Sequence, residues 1–108
     1  MPMPSPDRMM KQIQKMQQEL ARMEEELATR TVEASSGGGA VKAVANGKQE
    51  IVSVTIDPTA VDPADVEILQ DMVVAAVNDA LGKARAMAEQ EIARITGGLN
   101  LPGLLPGM

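Results

Sequence analysis

The chain has no cysteine, no histidine and no Phe, Tyr or Trp, and each absence removes a class of function. Without cysteine there is no disulfide, no thiolate nucleophile and no thiolate metal site. Without histidine the usual general base near neutral pH is missing. Without aromatic rings there is no platform on which single-stranded nucleic acid could stack. The core must then come from Val, Ile, Leu, Met and Ala, which bury less area per side chain than aromatics do. A chain of 108 residues built this way holds one domain with a thin stability margin. Pairing with a second copy would bury apolar surface that one copy leaves open. No stretch approaches the ~20 apolar residues of a membrane span. The N-terminus lacks the basic start and apolar run of a secretory signal. The expected address is cytoplasmic, with no membrane partner. Ten basic and fifteen acidic residues give a net charge of −5, which argues against nucleic acid unless the charges are unevenly placed.

Ser5-Pro6-Asp7 reads as a helix start, with proline in the first turn and an acid at the positive end of the helix dipole. Apolar residues then fall at Met9, Ile13, Met16, Leu20, Met23 and Leu27, in steps of 4, 3, 4, 3 and 4. That is the a/d seam of a coiled coil, a narrow stripe suited to another helix as core or dimer contact. Its methionines make it soft and adaptable. Thr31 to Ala34 suits a short strand, and Ser35 to Gly39 a flexible connection. Val41 to Ala45 leads into Asn46-Gly47, the sequence of a type I′ hairpin turn. Glu50 to Ile56 returns as a strand, with Val52, Val54 and Ile56 predicted on one face and Ser53 and Thr55 on the other. Asp62-Pro63 is expected to cap a long second helix, closed near Thr96 by Gly97-Gly98. Its apolar stripe, Val66, Leu69, Val73, Val77, Ala80, Ala84, Met87 and Ile95, is wide enough to cover a sheet face. The predicted fold is α+β: a helix, a three-stranded antiparallel sheet and a long helix. Residues 1–98 form one domain, and 99–108 a Pro/Gly-rich tail expected to be flexible.

No catalytic constellation stands out. Glu24-Glu25-Glu26 reads as a solvated helix face. Asp57, Asp62, Asp65 and Glu67 do not match a calcium loop, and capping accounts for Asp62 and Asp65. The Gly37-Gly38-Gly39 stretch lacks the Lys-Ser/Thr of a phosphate loop. The chain is therefore expected to be no enzyme, with no metal, no cofactor and no small-molecule substrate.

The charges are not evenly spread. Arg8, Lys15 and Arg22 recur every seven residues on the side opposite the seam, with Lys11 beside them. On the long helix Asp65, Glu67, Asp71 and Asp79 occupy the first half, and Lys83, Arg85 and Arg94 the second. If the two helices run antiparallel, cationic ends meet and an acidic molecule still offers phosphates a basic surface. The same residues also read as ordinary solubilising charge.

Several segments in order carry a resemblance. Met-x-x-Ile-x-Lys-Met-Gln (Met10 to Gln17), Val32-Glu33, Ser36 to Gly39, Asn46-Gly47, Ile56-Asp57-Pro58, Val61-Asp62-Pro63, Val73 to Ala80 and Thr96-Gly97-Gly98 resemble the YbaB/EbfC nucleoid-associated proteins over nearly the whole chain. Where that family commonly reads Asn-Asp-Ala-Leu-Arg-Lys-Ala, Gly82 replaces the arginine. The resemblance implies a bacterial, cytoplasmic, nucleoid-associated homodimer, intertwined or tweezer-shaped, whose protruding helices grip double-stranded DNA. The expected DNA contacts are Arg8, Lys11, Lys15, Arg22, Lys83, Arg85 and Arg94, reading phosphates with little sequence selectivity. The alternative is a protein–protein adaptor whose Met-rich seam holds a partner helix, with DNA contact incidental.

Overall fold

The computed structural model describes residues 5–97. The order is α1 (Pro6–Thr29), β1 (Thr31–Ser36), a 3₁₀ turn (Gly37–Gly39), β2 (Val41–Asn46), β3 (Ile51–Ile56), a second 3₁₀ turn (Pro58–Ala60) and α2 (Val66–Thr96). The strands form one antiparallel sheet in the order β1-β2-β3. The α+β architecture is as the sequence predicts. Gly98 and the tail at 99–108 lie outside the described residues.

Helix α1 begins where its cap chemistry places it. Pro6 gives up an N–H that would have had no partner, and the Ser5 hydroxyl accepts from the Arg8 amide at 3.3 Å. Helix α2 starts later than expected. The Asp62 carboxylate accepts from the Ala64 amide and closes a turn there, and Asp65, accepting from the Ile68 amide, is the true N-cap. Both aspartates are capping residues; only the second caps a helix.

The three-glycine stretch is a tight turn rather than a loose linker. β1 continues through Ser36, and Gly37, Gly38 and Gly39 all take positive φ, where side chains are disfavoured. The Ser36 hydroxyl then donates to the Met72 carbonyl at 2.6 Å, tying the strand end to α2. The β2–β3 hairpin also departs from expectation. The positive φ falls on Gln49 (61°), not on Asn46 or Gly47, and the Gln49 amide bonds the Asn46 carbonyl at 3.0 Å. This is a three-residue loop with its last residue left-handed. Asn46 organises it, its side-chain oxygen accepting from the amides of Lys48 and Glu50.

A register shift between Val44 and Ala45 changes which β3 residues face the core. Val41 pairs with Ile56, Ala43 with Val54, and Ala45 with Ile51. Ile51, Val54 and Ile56 therefore share the core side, whereas Val52, expected with them, sits at the irregularity and is 58% exposed.

The core is built largely of alanine. Ala76, Ala80 and Ala84, spaced one helical turn apart, meet Val41, Ala43 and Ala45 of β2 and Ala34 of β1, all buried. Methyl side chains on both surfaces let the helix axis come close to the sheet. Leu69, Met72, Val73, Val77 and Leu81 close the flanks, and Val66, predicted in the stripe, is exposed. The helix covers β1 and β2 and leaves every residue of β3 exposed. The expectation that helices cover the whole apolar sheet face is thus corrected: one edge remains open.

Helix α1 joins this body at the hairpin. The Gly47 amide donates to the carbonyls of Leu27 (2.8 Å) and Arg30 (3.0 Å), capping the end of α1. A Cβ at Gly47 would lie 2.6–2.8 Å from the Leu27 side chain and carbonyl. Gly47→Ala is expected to lower stability by about 1–3 kcal/mol, as overpacking does. Gly82→Ala, whose methyl meets nothing within 4 Å, is expected to raise it by about 1 kcal/mol. Urea unfolding followed by helical circular dichroism checks both signs.

Candidate nucleic-acid interface

The heptad seam of α1 splits into two halves. Met23 and Leu27 are buried, Met16 and Leu20 half-buried, and Met9 and Ile13 exposed. The buried half lies against the end of α2. Arg30 pairs with Glu91 at 3.0 Å, while Arg22, Met23 and Glu26 share a recess with Arg94 and Ile95. Contact positions fall along α1 as they rise along α2, so the helices are antiparallel. Ile95 also lines a groove with Met9, Ile13, Met16 and Glu19 and is the one residue of α2 in its lining; the two further residues of described chain reach only about 3 Å more. The first turns of α1 consequently project as an arm, in a molecule measuring 73 × 24 × 15 Å.

Helix α1 carries the cations that the spacing predicted, Arg8, Lys11 and Lys15 on the projecting turns and Arg22 beside the end of α2. Arg8, Lys11, Lys15 and Arg22 are all exposed. Among the described residues the salt bridges belong to Arg30, Lys42, Lys83 and Arg94, and none engages these four. Their charge is free to meet an external anion.

The α2 cations are placed differently. Arg94 does lie beside α1, yet its guanidinium donates to Glu91 at 2.9 and 3.2 Å. Glu91 first, then Glu26 and Glu19, hold its pKa above the ordinary arginine value. Lys83 sits far from the arm, donating to the Glu33 carbonyl of β1 at 3.1 Å and lying 3.8 Å from Asp79. Arg85, two residues on, is exposed at the level of the sheet. The structure thus brings Arg8, Lys11, Lys15 and Arg22 onto one element, puts a partly neutralised Arg94 at its base, and leaves Lys83 and Arg85 apart.

Glu91 is the residue that sequence reasoning missed. It receives Arg94 from its own helix and Arg30 from the end of α1. Those hydrogen bonds, from Arg94 first and Arg30 second, lower its pKa below the ordinary carboxylate value. The i,i+3 spacing to Arg94 was visible in the sequence; the reach from Arg30 was not. Among the described residues no group of three or more acidic side chains could hold a metal ion, and no helix is long and apolar enough to cross a membrane.

Fold and charge layout together define a small α+β protein that carries a cationic helical arm on a single-layer sheet. The chain belongs to the YbaB/EbfC DNA-binding family, whose model matches residues 3–99. It is similar to a nucleoid-associated protein of Desulforamulus reducens, 61% identical over 98 residues that cover 91% of this chain and 93% of that one. A nucleoid-associated protein of Pelotomaculum thermopropionicum is 63% identical over 97 residues, covering 90% and 92%. An uncharacterized protein of Helicobacter pylori, known from its crystal structure, superposes with a TM-score of 0.71 over 90% of this chain and 98% of that one. At 23% identity that likeness shows the fold alone. The family resemblance read from the ordered sequence segments is borne out.

The Glu91 pairing has a definite pH dependence. A carboxylate whose folded pKa is depressed contributes stability above its unfolded value and loses it as pH falls through the folded one. The stability advantage of the unmodified chain over Glu91→Gln is therefore expected to be full above pH 4.5, the ordinary glutamate value, and to vanish on further acidification. Thermal melts of both proteins across the acid range check this.

Proposed function

We propose that the protein binds double-stranded DNA as a homodimer, through phosphate contacts and with little sequence selectivity. The observation that carries this reading is the run of four exposed cations on α1, Arg8, Lys11 and Lys15 on its projecting turns and Arg22 beside the end of α2, none of them engaged by a carboxylate among the described residues. Membership of a DNA-binding family supports it. Lysine and arginine at heptad spacing present point charges about 10 Å apart along the helix, a spacing suited to backbone phosphates rather than to base edges. The other three cations contribute less: Arg94 is committed to Glu91, and Lys83 and Arg85 stand away from the arm.

The homodimer is supported by the open edge of the sheet. Ile51, Val54 and Ile56 belong to the core side yet are 36–40% exposed. A second copy covering β3 would bury these residues, complete a core built mostly of small side chains, and set two arms on one body. The adaptor reading draws instead on the uncovered Met9 and Ile13 of the seam.

Binding and particle-mass measurements test the proposal. Changing Lys11, Lys15 and Arg22 together to Glu is expected to abolish binding to a random duplex while the particle mass by light scattering stays dimeric. For the unmodified chain, log affinity should fall linearly with log salt. Each lysine neutralised to glutamine should flatten that slope by about 0.9 for every phosphate it had paired with. Unchanged binding by the triple variant would place the DNA surface elsewhere and leave the adaptor reading. Val54→Asp is expected to yield a monomer by light scattering, with DNA affinity reduced at least tenfold because only one arm can engage.

A further inference from the structure

A groove of about 490 Å³ runs along the junction of α1 and α2, lined by Met9, Ile13 and Met16 on one side and Ile95 on the other, with Gln12, Lys15 and Glu19 at its rim. It is the continuation of the heptad seam beyond the point where α2 leaves it. Among the described residues the seam has a partner for Met23 and Leu27 and leaves Met9 and Ile13 exposed. We propose that the groove is the docking site for the chain's own C-terminal segment, residues 98–108.

Three observations favour this occupant over a second molecule. The first is position: Ile95, the groove's far wall, stands two residues before Gly97, so the chain departs from the groove itself. The second is reach. Leu105 is eight residues beyond Gly97, up to about 26 Å of extended chain, whereas Met9 and Met16 are about 10 Å apart along α1. The third is chemistry. The segment Leu99-Asn100-Leu101-Pro102-Gly103-Leu104-Leu105-Pro106 carries four leucines and no charge. Methionine side chains adapt to an irregular apolar guest. A tethered segment also competes at a local concentration in the millimolar range, which a separate partner rarely matches. The cations Arg8 and Lys11 do not line the groove, so docking leaves them exposed. The proposal does not depend on DNA binding.

The chain holds an internal reporter. Met9 and Met10 are adjacent on α1 with similar exposure, 47% and 59%, but only Met9 lines the groove. Dilute hydrogen peroxide oxidises accessible methionine to the sulfoxide, and peptide mass spectrometry reads each site separately. In the full chain Met9 is expected to oxidise at least threefold more slowly than Met10. Replacing Leu101, Leu104 and Leu105 together by Ser, in the otherwise full chain, is expected to bring Met9 to the Met10 rate and leave Met10 unchanged. Circular dichroism confirms that the variant keeps its helices. Equal rates at Met9 and Met10 in the unmodified chain would overturn the proposal. So would protection of Met9 that survives the leucine replacement, and if that protection fades on dilution, the groove is instead occupied by a second copy.

Discussion

What the arm can do depends on a junction from which a side chain must be absent. The last carbonyls of α1 need donors, and the Gly47 amide of the β2–β3 hairpin supplies one to Leu27 and Arg30 together. Such a close approach of helix end and turn is open only to glycine, because a Cβ would enter the Leu27 side chain and carbonyl. The hairpin in turn keeps its shape through Asn46, whose side chain accepts two amides of the loop. Helix direction, turn geometry and strand register are thereby coupled, and the angle at which the cationic helix leaves the sheet is set by backbone contacts more than by any large apolar interface.

Charge is managed by separation. The net charge of −5 is an average over regions of opposite character. Four of the five acids of α1 lie from Glu19 onward, where Glu26 and Glu19 act on Arg94, and the projecting turns carry Arg8, Lys11 and Lys15 against the single acid Asp7. A polyanion approaching the arm meets the local field rather than the mean one. Glu91 belongs to this division as well. By holding Arg30 and Arg94 it converts two cations into a clamp between the helices.

Much of the fold was legible because local rules and burial agreed. The 4,3 spacing marked α1, and Val41 to Ala45 leading into Asn46-Gly47 marked β2 and the turn after it. The Ser5 cap fixed the start of α1, and the antiparallel helix arrangement, which the charge layout took only as a condition, is present. The errors have physical causes. Asp62 and Asp65 are both competent caps, and sequence does not tell a capped turn from a capped helix. Asn46-Gly47 suggested a turn by its φ preferences, when Gly47 is needed for proximity and the left-handed residue is Gln49. The bulge beside Val44 moved Val52 off the core face, a change that strict alternation cannot anticipate. Ala76 was left out of the predicted stripe although it is buried on the same face as Ala80 and Ala84, which were in it. At the candidate site, the four cations on one helix were readable from their period. The neutralisation of Arg94 and the remoteness of Lys83 needed the tertiary structure.

The irregularity in β3 has a consequence for how assembly ends. A flat apolar edge strand is a template on which further strands can stack without limit, the route to fibrous aggregates. Here the edge is six residues long and is bent where Val44 and Ala45 fall out of register with it. A bulged, locally twisted ladder mates with a surface of matching curvature and offers poor purchase to a third strand. The same feature that pushes Val52 out of the core thus works against open-ended stacking of strands.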